Sequence, residues 1–157
     1  MIEKLNMQGL YFGLTEGTVT TMGIIIGMFA SMPIKKAIFS AVIAATLSDS
    51  FGDSIGLYYS EEARGGKNAI NTVINMVTCK LLISFIYIIP LFLIKSLKTG
   101  IFVSILIALL VISTSFYNLA SIKEVDPTDF VIKNTLTIGI VIIITYYIIN
   151  MIKRFLK

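Results

Sequence analysis

The sequence predicts an all-α membrane protein: five transmembrane helices and no soluble domain. Three observations carry this. Of the 157 residues, 56% are apolar and only 14% charged, with a mean hydropathy of +0.90, whereas a soluble domain carries about a quarter charged residues. Apolar stretches of roughly 20 residues, enough to cross ~30 Å of hydrocarbon, recur along the whole chain. Charged and turn-forming residues gather between them, as in Lys35 and Lys36, in EEARGGK from Glu61, and in Lys95 to Lys98.

The first span runs from about 9 to 31. It stops ahead of Pro33, because the residue before a proline leaves the helical region. The second, about 34–60, ends in EEARGGK, a charged Gly-Gly turn unsuited to a lipid-facing helix. The third, about 76–94, has a more polar lead-in, so its start lies either at Asn68 or at Met76. Lys95 and Lys98 separate it from the fourth, about 100–117. The loop NLASIKEVDPTD then offers an Asp-Pro turn, with Thr128 or Asp129 as the N-cap of the fifth span, about 131–151. Tyr11, Tyr58, Tyr59 and Tyr117 at one set of span ends, and Tyr146 and Tyr147 toward the other, suit the headgroup level. The reading is one domain over 1–157, an integral, multi-pass membrane protein.

Several function classes fall away. A single cysteine, Cys79, forms no intrachain disulfide, and the chain has no histidine. Zinc sites of the Cys/His type and His-based catalysis are thereby excluded, and neither an enzyme nor a permanently bound cofactor is expected. The net charge of +4 sits in loops and termini, which suits anionic lipid rather than nucleic acid. The start, MIEKLNMQG, does not read as a signal peptide. Lys4, Arg64, Lys67 and Lys123 fall on the N-terminal side. Lys35, Lys36, Lys95, Lys98, Lys153, Arg154 and Lys157 fall on the other, and seven against four favours a cytoplasmic C-terminus. Six acids (Glu3, Glu61, Glu62, Glu124, Asp126, Asp129) all lie on the N-terminal side.

Three carboxylates lie inside spans: Glu16 in the first, Asp49 and Asp53 in the second. Each costs roughly 2.5–3.5 kcal/mol at a helix centre, so such residues face cavities, pair, or bind ions. Asp49 and Asp53 are four apart and share a helix face, about 6 Å apart along the axis. In an antiparallel hairpin through Pro33, Glu16 and Asp53 both lie ~10 Å in from the same side, with Asp49 one turn deeper. Three carboxylates then converge on one point. An oxygen-only cluster suits a hard or borderline divalent cation such as Mg²⁺, Mn²⁺ or Fe²⁺. The mutual repulsion of its charges suits exchange of metal against protons. The structural alternative is that these acids neutralise Lys80 in an ion pair, or line a wet vestibule.

The first two spans are also rich in small and hydroxyl residues. Gly9, Gly13 and Gly17 repeat at four-residue spacing, as do Gly23 and Gly27, and Gly52 and Gly56. That spacing lets helix backbones approach closely. Thr20 and Thr46 are candidates to line a pathway, and Glu61 and Glu62 to attract cations at its entrance. Bulky Ile, Leu and Phe dominate spans three to five.

The stretch LTEGTVTTMGIIIGM resembles the first-helix signature of the vacuolar iron transporter family: an acid followed by Gly, a hydroxyl-rich run, then Gly-rich helix. LSDSFGDSIGLYYSEEA is similar to the family's second helix, with Asp49, Gly56, Tyr58 and Ser60 on its Asp, Gly, Tyr and Ser. ISFIYIIPLFLI around Pro90 resembles the third helix, and LTIGIVIIITYYII the last, with Gly139 and Thr145-Tyr146. The order and spacing of these stretches carry the likeness, which covers most of the membrane portion. The resemblance implies a five-helix homodimer that exchanges Fe²⁺ or Mn²⁺ for protons, with Glu16 and Asp49 at the family's acidic positions. It also implies a cytoplasmic N-terminus, opposite to the Lys/Arg count. The departures are specific. Asp53 stands where the family has a soft Met ligand, and Leu57 where it has Glu. The glutamate-rich insert between helices two and three is cut to a turn with Glu61 and Glu62. Replacing Met by Asp hardens the site and favours Mn²⁺ or another divalent over iron.

The expected function is a membrane transporter of divalent transition metal, Fe²⁺ or Mn²⁺, by proton exchange, with Glu16, Asp49 and Asp53 as ligands. Two alternatives stand beside it. A small multidrug or organic-cation exporter keeps a first-helix glutamate but leaves the two aspartates unexplained. A non-transporting membrane scaffold would use its glycine faces for packing and its acids to pair with Lys80.

Overall fold

The computed structural model describes the backbone of residues 2–155 and the side chains of residues 7–155. Glu3, Lys4 and Lys157 of the charge tally lie outside the described side chains. Five helices follow one another: α1 (Ile2–Ser31), α2 (Lys35–Ala63), α3 (Ala69–Leu93), α4 (Leu97–Lys123) and α5 (Pro127–Phe155). They hold 25 to 30 residues each, or about 38–45 Å of helix at 1.5 Å per residue. This exceeds the ~30 Å of a hydrocarbon core and reaches into the headgroups.

Four of the five, α1, α3, α4 and α5, are long and apolar enough to cross a membrane. The chain is thus an all-helical, multi-pass membrane protein. The sequence predicted five such spans. The exception is α2, which is long enough but carries Lys35, Lys36, Asp49, Asp53, Glu61, Glu62 and a run of serines. It is the helix that bears two of the three buried-span carboxylates.

Local chemistry explains the ends, corrects three of them and decides a fourth. Pro33 separates α1 from α2 as predicted, with the Met32 N–H bonded to the Met28 carbonyl. The second helix does not stop near residue 60 but runs to Ala63. There the Gly66 N–H bonds back to the Glu61 carbonyl and the Gly65 N–H to that of Glu62, with Gly65 left-handed at φ 72°. This is a Schellman termination, for which Gly is the residue without a Cβ penalty. Of the two starts open for the third span, the structure favours the earlier, with Asn68 as N-cap and the polar lead-in AINTVIN inside the helix from Ala69. The fourth helix continues six residues past Tyr117 to Lys123 and ends the same way, with Glu124 left-handed at φ 55°. The cap before the fifth is neither Thr128 nor Asp129. Asp126 Oδ1 accepts the Thr128 N–H at 2.8 Å, and Pro127 takes the first helical position, where its missing N–H costs nothing.

α1 is the hub. It packs most closely on α3 and also touches α2, α4 and α5, while α2 lies against α3 and α4 against α5. Glycine makes the α1–α3 contact: a Cβ on Gly9 would fall on the Thr72 carbonyl, and one on Gly13 on the Met76 carbonyl. The other glycine repeats do no such work, since Gly23, Gly52 and Gly56 have nothing within 4 Å of a built Cβ. Polar zippering reinforces the α1–α3 seam. Thr18 and the Tyr87 hydroxyl lie 2.9 Å apart, and Thr21 and Ser84 2.7 Å apart, all buried. Tyr87, unlike the tyrosines at span ends, is fully buried and packs in this seam.

At the opposite end, Lys35 Nζ donates to the Ile94 carbonyl at 2.5 Å and Lys153 Nζ to the Ala30 carbonyl at 3.1 Å. These lysines sit on the C-terminal ends of α3 and α1. α5 is the least embedded element: among its described residues only Ile138 is buried, while Leu136, Ile140, Ile143 and Tyr147 are exposed. An exposed apolar face of this kind marks a side that meets lipid or another subunit.

Candidate functional site

Each of three helices contributes at one level of the bundle. α1 places Glu16 and Thr20 one turn apart. α2 runs antiparallel and places Asp49 and Asp53 one turn apart, on the border of its buried stripe of Thr46, Ser50 and Leu57. α3 supplies Lys80 from behind. The hairpin register expected from the sequence brings the acids together: one oxygen each from Glu16, Asp49 and Asp53 lies within 4.8 Å of the others, all three residues half-buried. No other such group occurs among the described residues.

Thr20 ties the two helices. Its hydroxyl lies 3.2 Å from Glu16 Oε1 and 3.2 Å from Asp49 Oδ2. Lys80 binds the aspartates, its Nζ 2.7 Å from Asp49 Oδ2 and 2.5 Å from Asp53 Oδ2. The Lys80 side chain is 0% exposed, against 39% for Asp49 and 22% for Asp53. Charge pairing is how a buried ammonium is tolerated in an apolar helix. The route for its stem comes from Gly17, where a Cβ would stand 3.3 Å from Lys80 Cγ and 3.1 Å from its Cα. Three carboxylates against one ammonium leave the ionised cluster a formal charge of −2.

The cluster is open on one flank. A groove of about 480 Å³, lined by Glu16, Thr20, Ala45, Ser48, Asp49 and Gly52, runs between α1 and α2. The absence of a Cβ on Gly52 keeps that flank low. Chemically, this is an oxygen-only donor set with one accessible side, held from behind by a lysine.

The other predicted site residues are placed differently. Thr20 stands within the cluster, but Thr46 is buried on α2, its Oγ1 without a hydrogen-bond partner. Glu61 is no open-loop acid. It lies in the last turn of α2, 2% exposed, accepting from Gln8 Nε2 at 2.8 Å with Arg64 at 3.6 Å. Its role there is to tie α2 to α1. Glu62 stays exposed and accepts the Tyr58 hydroxyl at 2.6 Å. Gln8 carried no signal in the sequence. The pairing of Gly17 with Lys80 did: Thr72, Met76 and Lys80 repeat at the spacing of Gly9, Gly13 and Gly17.

Comparison with known proteins yields no matching family model, no matching curated protein and no matching solved structure.

Proposed function

We propose that the chain is a membrane transporter of divalent transition-metal cations, Mn²⁺ or Fe²⁺, working by exchange with protons and assembling as a homodimer. The observation that carries the reading is the convergence of Glu16, Asp49 and Asp53 within 4.8 Å on the flank of a helical membrane bundle. Carboxylate oxygens are the donors that hard and borderline divalent cations take. A formal −2 beside the groove matches a divalent charge. The likeness of the first two helices to the vacuolar iron transporter family points the same way and is the ground for the homodimer.

The test is Mn²⁺ and Fe²⁺ uptake into proteoliposomes under an imposed pH gradient, wild type beside Glu16→Gln. Gradient-dependent uptake in the wild type and its loss in the variant are expected. No uptake of either ion by folded, inserted wild-type protein would overturn the reading.

Lys80 favours a second reading. Its two ion pairs would equally serve a scaffold in which the acids exist to hold α2 on α3. In that case Mn²⁺ gives no protection against heat in wild-type protein, and Asp53→Asn only lowers stability.

A further inference from the structure

We propose that Lys80 is a tethered counter-cation: its ammonium occupies the carboxylate cluster in the cargo-free protein and is displaced from Asp49 and Asp53 when a divalent cation binds. The inference rests on reading Glu16, Asp49 and Asp53 as a cation site, and adds the residue that regulates it.

The geometry divides the cluster unequally. Lys80 Nζ bonds the Oδ2 atoms of both aspartates, at 2.7 and 2.5 Å. Glu16 receives only the Thr20 hydroxyl among the described contacts, at 3.2 Å, and lines the groove. A cation arriving through the groove meets Glu16 and one edge of Asp49 first. To hold both aspartates it must compete for their charge with the ammonium that already bonds their Oδ2 atoms. Lysine suits this exchange, because its ammonium is a point charge on a flexible four-carbon stem rather than a rigid two-pronged fork.

The stem lies close against α1. Lys80 crosses α1 at Gly17, where any Cβ would stand 3.3 Å from its Cγ. With no solvent reaching the side chain, the ammonium draws its compensation from the two aspartates. The benefit is mutual. Without lysine or cargo, three half-buried carboxylates would crowd together with no cation among them. A transport cycle must pass through the cargo-free state, and an internal cation stabilises that state. The same residue then weakens cargo binding, since the cargo competes with a charge that is always nearby.

The two consequences pull in opposite directions, which makes the proposal testable. Full-length protein in detergent is titrated with Mn²⁺, reading free Mn²⁺ by electron paramagnetic resonance, for wild type, Lys80→Gln and Lys80→Arg. Lys80→Gln keeps hydrogen-bond donors but removes the charge. It is expected to bind Mn²⁺ at least tenfold more tightly while net uptake into proteoliposomes falls at least tenfold. Lys80→Arg restores the charge and moves affinity back toward the wild-type value. Should Lys80→Gln fail to fold, Lys80→Met, which retains the stem's length, gives the same reading. Failure of both to fold would make Lys80 a residue of the fold and overturn the proposal. Wild-type binding that Lys80→Gln leaves unchanged or weakens overturns the lysine's role alone. Absence of Mn²⁺ binding in every protein overturns the cation-site reading itself.

Discussion

Gly17 and Lys80 face each other across the α1–α3 seam so closely that a Cβ on Gly17 would stand 3.1 Å from the Lys80 Cα. Backbone proximity at this point sets where the lysine emerges, and therefore which acids it meets. The fold and the site share this contact.

Gly13 of α1 and Gly52 of α2 should therefore behave in opposite ways. Gly13→Ala drives a methyl onto the Met76 carbonyl, backbone that no rotamer change can move. A loss of at least ~2 kcal/mol is expected, the middle of the overpacking range. Gly52→Ala meets nothing within 4 Å and gains helix propensity, for a neutral effect or a gain of up to about 1 kcal/mol. Thermal denaturation of the two variants in detergent checks this, and equal midpoints would refute the glycine account of the α1–α3 seam.

Truncating the two partners of the buried Thr18–Tyr87 bond should not cost the same. In Tyr87→Phe, Thr18 keeps its hydrogen bond to the Leu14 carbonyl at 2.7 Å, so the loss is about 0.6 kcal/mol, the average for interhelical bonds in membranes. Thr18→Val strands the Tyr87 hydroxyl, which sits at 0% exposure, and costs about 1–2 kcal/mol. The order of the two melting temperatures is the readout.

Asp53→Asn separates the two readings of the site. Asp49 still holds Lys80, but the pair is weakened. A loss of about 1–3 kcal/mol is expected, discounted from the 3–5 kcal/mol of a broken buried pair because Asp53 is 22% exposed. If the cluster binds cargo, a Mn²⁺-induced rise in melting temperature, worth about 2.7 kcal/mol at a hundredfold excess over Kd, appears in the wild type and shrinks in the variant. A wild type indifferent to Mn²⁺ leaves the scaffold.

The α4–α5 turn offers a control remote from the site. Glu124 adopts φ 55°, a region that Gly enters without steric cost. Glu124→Gly is expected to be neutral or to stabilise by up to about 1 kcal/mol. Asp126→Ala, which deletes the acceptor for the Thr128 N–H, should cost about 1 kcal/mol. Neither should alter Mn²⁺ uptake, and a change in uptake would show that this turn is coupled to the cluster.

Helix number and the α1–α2 hairpin register were legible because the charged breaks between helices and Pro33 state them locally, whereas α2 lacks the apolar run that marks the other four as membrane-crossing. Asp126 was also legible in principle: a proline at the first helical position obliges the preceding residue to be the cap. Glu61 was misplaced because charge was taken as the mark of a loop, whereas the Gly65-Gly66 pair marks the helix end after it. The reach of Lys80 to both aspartates depends on how α3 is seated against α1. Matching four-residue repeats hint at that seating, but Gly23, Gly52 and Gly56 carry the same signal and find no partner. Such a choice between equivalent stripes is settled only by the packing of the whole bundle.

Lys35 and Lys153 hold the last carbonyls of α3 and α1, where helix dipoles place partial negative charge. These two residues also belong to the basic tally that argues for membrane orientation. Two charges of that tally thus also serve helix termination. An attempt to invert the protein by moving its positive charges would uncap two helices of the bundle at once. An apparent failure to invert would then need to be separated from a failure to fold.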